Sequence, residues 1–145
     1  MTKKLVLGLD GSDGSAAATR WCVEMATSLH AQVVTVHGVA IDAYPSYGMM
    51  MTTLFDDTWR KELLKLMEEE WCKPLADAGI HFSAEVIEQD PAQAIIAVAD
   101  RENADMIVVG RRGRGGFAEL VLGSVSHRLA HHAHQPLVII PKHTT

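Results

Sequence analysis

Little in this chain points outward. It holds two cysteines in 145 residues. Cys22 and Cys72 lie in helix-like segments among apolar neighbours, without metal-ligand spacing. A disulfide-built scaffold is excluded, and the pair reads as two buried thiols in a reducing compartment. No apolar run reaches the length of a membrane span. The opening Met-Thr-Lys-Lys is charged, but Leu5 to Leu9 is too short for a secretory core and Asp10 ends it, so the chain is expected to be cytoplasmic. Excess positive charge is also missing. The net charge is -5 with histidines neutral, which argues against general nucleic-acid binding. There is no internal repeat and no composition break, so residues 1–145 are expected to form one domain.

What the chain does have is apolar substance, at 48% of residues, arranged with changing period. Lys4 to Asp10 is apolar on both faces, as a central parallel strand requires. Gly11 to Gly14 is a turn in which Ser12 or Asp13 caps the next helix. There Ala18, Trp21, Cys22, Met25, Ala26 and Leu29 recur at helical spacing. Gln32 to Ala40 is a second strand, and its His37 reads as a packed, hydrogen-bonded side chain rather than a ligand. Residues Ile41 to Thr53 form an irregular insert with three consecutive methionines, read as a surface loop in preference to a flap over a ligand. A long helix is predicted over Leu54 to Ala78. Its stripe is Phe55, Trp59, Leu63, Met67, Trp71 and Leu75, widened by Leu66, and Pro74 kinks or shortens the last turn before Gly79. Ile80 to Glu88 alternates like an edge strand. Asp90-Pro91 opens a further helix with Ala94, Ile95, Val98 and Ala99 inward. A fourth strand ends at Gly110, a helix follows from Ser124 to Ala133, and Leu137 to Ile140 is the last strand. Five strands alternating with four helices call for a three-layer α/β domain, a parallel sheet with helices on both faces.

The segment between the fourth strand and the last helix carries the chemistry. Gly110, Gly113, Gly115 and Gly116 are interleaved with Arg111, Arg112 and Arg114. Glycines let the backbone approach a ligand closely. Amides of such a loop, together with a helix start at Ser124, form a site for an oxyanion, most simply a phosphate. Strand-to-helix turns also need glycine for geometry alone, so composition by itself leaves both readings open.

The spacing is more specific. Gly110-x2-Gly113-x9-Gly123-Ser124 matches G-x2-G-x9-G-[S/T] in full, and the chain resembles the nucleotide-binding universal stress proteins over nearly its whole length. Leu5 to Ser12 is similar to the family's first strand and acidic turn, and Gln135 to Pro141 to its last strand. The resemblance implies the Rossmann-like fold of the adenine nucleotide alpha hydrolases, with strand order 3-2-1-4-5. Strands one and four are then neighbours at the reversal point, where ligands bind. It also implies ATP, or ADP or AMP, as ligand, with Mg2+ or Mn2+ as a possible companion of the phosphates. Gly110 and Gly113 would set amides near ribose and phosphate, with Val109 and Arg114 beside them. Gly123 would allow close approach to the amides of Ser124 and Val125, and Asp10, Leu9 and Val39 would border base and ribose. Asp10 has a second reading as a turn stabiliser, and Ser124 as a plain helix N-cap. Arg111 and Arg112 depart from the common family loop and add charge. A homodimer joined along Leu137, Val138, Ile139 and Ile140 is implied as well.

Catalytic machinery is not visible. No G-x4-G-K-[S/T] pattern follows the glycines, so any ATP hydrolysis is expected to be slow or partner-dependent. A nucleotide-loaded switch or reservoir for stress response fits better than a motor. The alternative is a protein-interaction module of the same fold with an empty crevice. An ATP pyrophosphatase-like ligase is less well supported, because Asp10 to Ser15 is only distantly similar to the loop such enzymes carry. His127, His131, His132 and His134 lack an HExxH pattern or a matching cysteine or carboxylate, and the sequence reads them as surface histidines, with no metal site.

Overall fold

A computed structural model describes residues 2–40, 57–112 and 122–142. Strands β1 (Lys4–Gly8), β2 (Gln32–Gly38), β3 (Phe82–Ile87), β4 (Met106–Gly110) and β5 (Leu137–Ile140) form one sheet in the order β3-β2-β1-β4-β5. Every neighbouring pair is parallel, with Leu7 opposite both Thr35 of β2 and Val108 of β4. The helices are α1 (Asp13–Leu29), α2 (Thr58–Leu66), a π-helical turn (Met67–Trp71), α3 (Lys73–Asp77), α4 (Pro91–Arg101) and α5 (Ser124–His132). The order expected from the family resemblance is the order found. β1 and β2 end at Gly8 and Gly38, two residues short of the predicted Asp10 and Ala40.

Alternation along the strands feeds two cores. Leu5, Leu7, Val33 and Val108 face α1 and the helices after β2, meeting Ala18, Cys22, Ala26, Met67, Cys72 and Leu75. Val6, Val34, Val36, Ile107 and Val109 face the other way, onto Ala94, Ile95, Val98 and Ala99 of α4 and Leu129 of α5. Leu5, Leu7 and Ile107 are wholly buried, each contributing about 1.5–3 kcal/mol relative to exposure. The alanines of α1 and α4 bring helix backbones close to the sheet. Thr35 is the polar exception in the first core. Its hydroxyl donates to the Ser83 carbonyl at 2.9 Å and accepts from the Cys72 thiol at 3.5 Å, so it is buried without an orphaned group.

The predicted long helix is not continuous. Its predicted start, with Phe55, lies outside the described residues, as does the methionine-rich insert. From Thr58 onward the helix widens at Met67–Trp71, where the Cys72 amide reaches back five residues to the Met67 carbonyl at 2.8 Å. Pro74 explains the break. Its ring would strike the carbonyl four residues earlier and it has no N–H to offer. The widened turn comes just before it and leaves Pro74 in the first turn of α3, where proline is tolerated. Met67 and Leu75 are fully buried, whereas Leu66 is exposed and does not widen the apolar stripe. The other helix starts agree with expectation. Ser12 caps α1 by accepting from the Ser15 amide, and Asp90 caps α4 by accepting from the Gln93 amide. No helix among the described residues is long and apolar enough to cross a membrane.

Both cysteines are free and buried. Burial raises Cys22 from its ordinary 9.0 to about 12. Cys72 is also raised by burial, against the opposing pull of the Thr35 hydroxyl. The folded state therefore keeps the Cys22 proton where the unfolded chain loses it. Its contribution to stability is complete below pH 9.0 and declines as pH rises toward about 12. Native protein at pH 8 is expected to resist iodoacetamide at both thiols, and the denaturation midpoint to fall with pH above 9 less steeply in Cys22→Ala. Rapid alkylation of the native fold would contradict this packing.

Candidate functional site

The sheet order reverses between β1 and β4, and the candidate site lies where the chain leaves these two strands. At the end of β1, the Leu9 amide donates to the Val36 carbonyl at 2.9 Å, and Leu9 is buried. The His37 Nδ1–H donates to the Leu9 carbonyl at 2.7 Å. His37 is held in turn by an edge contact with Trp71, ring centres 5.1 Å apart. The π-helical turn thus presents a tryptophan that orients a histidine on the strand end. The expected hydrogen-bonded role of His37 is the one found. Asp10 Oδ1 accepts from the Ser12 amide at 2.9 Å, and Gly11 takes φ 79° to complete the turn into α1.

At the end of β4, two glycine backbones touch. A Cβ on Gly110 would stand 2.7 Å from the Gly14 carbonyl, and one on Gly14 would stand 2.2 Å from the carbonyl oxygen of Arg112. No side chain fits at either position, so the start of α1 lies directly on the exit of β4. The loop that leaves there is pinned at both ends. The Arg111 amide donates to Ile140 of β5 at 2.8 Å, and the Arg111 carbonyl accepts from the Gly123 amide at 2.8 Å and the Ser126 hydroxyl at 2.7 Å. Gly113 and Arg114, both predicted site residues, lie outside the described residues.

Helix α5 opens differently from α1 and α4. Gly123 is its N-cap, with φ -74° and ψ 172°, and no side chain caps the helix. Ser124, whose second reading was an N-cap, instead stands inside the first turn and is exposed. Ser126 spends its hydroxyl on the Arg111 and Gly123 carbonyls. A helix start offers amides with no intrahelical partner, together with the positive end of the helix dipole. In α1 and α4 a serine or an aspartate answers that demand. In α5 the amides of Ser124 and Val125 are the groups left to an incoming oxyanion. Arg111 adds to this: its Nε is buried and has no hydrogen-bond partner among the described residues. Such a group costs roughly 1–3 kcal/mol unless something accepts from it.

The structure brings Leu9, Asp10, Val109, Gly110, Gly123, Ser124 and Val125 to the carboxyl edge of the sheet around β1 and β4. Val39 stands one strand over. Its amide is engaged by the Ile87 carbonyl at 2.8 Å and is not a donor to a ligand there. Two positioning residues escaped sequence reasoning. Gly14 was visible only as part of a turn, and Ser126 carried no signal. At Gly38 a Cβ would meet Pro91 at 2.6 Å.

These features define a doubly wound α/β protein in which a helix start without a side-chain cap lies beside the switch point of the sheet. The universal stress protein family model matches residues 1–141, and the chain belongs to that family. It is similar to a universal stress protein of Methanocaldococcus jannaschii, 31% identical across 97% of this chain and 82% of that one. Among solved structures it shares its fold with UspA of Lactobacillus plantarum, at 20% identity and TM-score 0.79, covering 95% of this chain and 97% of that one. A universal stress protein in complex with cAMP superposes at 22% identity and TM-score 0.72, covering 98% of each chain. One from Archaeoglobus fulgidus in complex with dAMP does so at 21% and 0.68, covering 97% and 98%.

Substituting Gly110→Ala forces a methyl group into the Gly14 backbone. A loss of about 1–3 kcal/mol in urea denaturation is expected, as for an overpacked core. An unchanged midpoint would mean that the two backbones are not in contact.

Proposed function

We propose that this protein binds an adenine nucleotide in the β1/β4 crevice and works as a nucleotide-dependent stress-response switch or reservoir. The observation that carries the reading is the start of α5, where the amides of Ser124 and Val125 meet no capping side chain and adjoin the basic loop closed by the Arg111–Gly123 hydrogen bond. Family members of the same fold crystallised with cAMP and dAMP add support.

In this reading the phosphates occupy the mouth of α5, held by the Ser124 and Val125 amides and the Ser124 hydroxyl. Gly110, Gly113 and Arg114 line the loop side. Val109 and Leu9 stand behind the ribose. Asp10, already fixed by the Ser12 amide at 2.9 Å, borders ribose and base, with Val39 beyond it. ATP is the favoured member of the class, with ADP or AMP as alternatives, and Mg2+ or Mn2+ would screen the phosphate charge. With no lysine in a Walker pattern, these residues hold and orient the nucleotide and supply no base for its rapid cleavage. The whole of residues 1–145 serves as one cytoplasmic domain.

The edge strand β5 extends the proposal to a homodimer. Leu137, Val138 and Ile139 are only partly covered in the single chain, and an exposed apolar edge invites pairing with a second copy. Sedimentation velocity is expected to return twice the chain mass. A concentration-independent monomer would remove the dimer and leave the crevice reading intact.

The test of binding is direct. Protein purified from cells and denatured is expected to release ATP, ADP or AMP, identified by mass spectrometry. Gly113→Val and Gly123→Val are each expected to weaken ATP binding by about tenfold or more, as loss of charge-assisted amide contacts worth roughly 1.5–3 kcal/mol requires, with circular dichroism unchanged. Empty protein that shows no heat with ATP and magnesium would overturn the reading in favour of an interaction module.

A further inference from the structure

Helix α5 carries a second arrangement that the crevice does not use. His127 and His131 are both exposed and stand four residues apart, one above the other on a single helix face. Their ring centres are 4.7 Å apart, with the planes inclined at 63°. We propose that His127 and His131 together bind one divalent transition-metal ion of borderline softness, of the Ni2+ or Cu2+ class, as a two-imidazole chelate.

The geometry suits a shared ion. With a metal–nitrogen bond of about 2.1 Å, two imidazoles meeting at roughly a right angle place their ring centres roughly 4.6 Å apart. Right-angle coordination belongs to square-planar and octahedral ions, and imidazole is a ligand of choice for copper and nickel. A tetrahedral ion would need the rings slightly further apart. The surroundings permit a cation. Arg128, the nearest fixed positive charge in sequence, is paired with the Asp90 carboxylate. His134 is engaged with Asp100, 3.1 Å away, and is not part of the pair. The His132 ring lies 6.3 Å from that of His131. No group of three or more histidine, cysteine, aspartate or glutamate side chains gathers for a metal among the described residues, so water fills the remaining positions. The consequence for the fold is local: a bound ion ties together the first two turns of the helix whose start forms the mouth of the crevice. The chelate does not depend on whether that crevice holds a nucleotide.

The experiment uses the full chain without an affinity tag, titrated calorimetrically with Ni2+ and with Cu2+. One ion per chain is expected. His127→Ala and His131→Ala should each weaken binding by roughly a hundredfold, since the second imidazole no longer closes the chelate intramolecularly. His132→Ala and His134→Ala should leave it unchanged. Alanine is the best helix former, so α5 is retained in every variant, as circular dichroism checks. The copper complex should show two equivalent nitrogen ligands by electron paramagnetic resonance. No saturable binding below millimolar metal would reduce the ring contact to simple edge packing and sink the proposal. Binding that survives both His127→Ala and His131→Ala, or that is lost equally with His132→Ala, would do the same.

Discussion

Two glycines without side chains hold the crevice in place. Gly110 closes β4 and Gly14 opens α1, and their backbones meet at a distance no Cβ tolerates. The contact sets how near the first helix lies to the fourth strand. It fixes the height of the Arg112 carbonyl, which lies over Gly14, and through it the direction in which the basic loop leaves the sheet. The same economy recurs at Gly38, whose missing side chain admits Pro91 at the head of α4. Parallel sheets bury both faces, so helices must be seated closely on either side, and glycine at the strand ends is what lets them turn in tightly.

With the scaffold set, the distribution of caps decides where charge is wanted. Each helix beginning at the carboxyl edge points its positive end toward the same rim. α1 answers with Ser12 and α4 with Asp90, the latter also drawing in Arg128. α5 answers with a glycine, which has nothing to give. The sequence between β4 and α5 carries Arg111, Arg112 and Arg114, in a chain whose net charge is -5. The start of α5 therefore differs from those of α1 and α4 in having no side-chain cap.

Much of this was legible in the residues. Short apolar runs revealed the central strands and alternation the edge strand at Ile80 to Glu88, the Asp90-Pro91 pair marked a helix start, and the glycine spacing located the loop. What escaped depends on contacts between distant positions. Nothing local to Gly14 announces that Arg112 will lie on it, and nothing near Ser126 foretells a hydroxyl bond to the Arg111 carbonyl. A kink at Pro74 was anticipated, but the π turn ahead of it was not. Apolar residues four apart are compatible with both an α turn and a π turn over a short stretch, so the stripe from Trp59 to Leu75 hid the widening that Pro74 imposes. Leu66 was misjudged: Trp59, Leu63 and Leu64 pack on the core from this helix, and Leu66 is exposed.

The strand order has a consequence for how the chain assembles. β1, β2 and β3 come early in the chain and can pair among themselves, but β1 meets β4 only through contacts such as Lys4 with Asp105, 101 positions apart. Closing so long a loop costs entropy before any contact is made, and pairings of this range slow folding. A chain emerging from the ribosome thus completes one half of its sheet while the central strand still exposes an edge. The seam between the halves can form only once β4 has been made, and the proposed site lies on that seam.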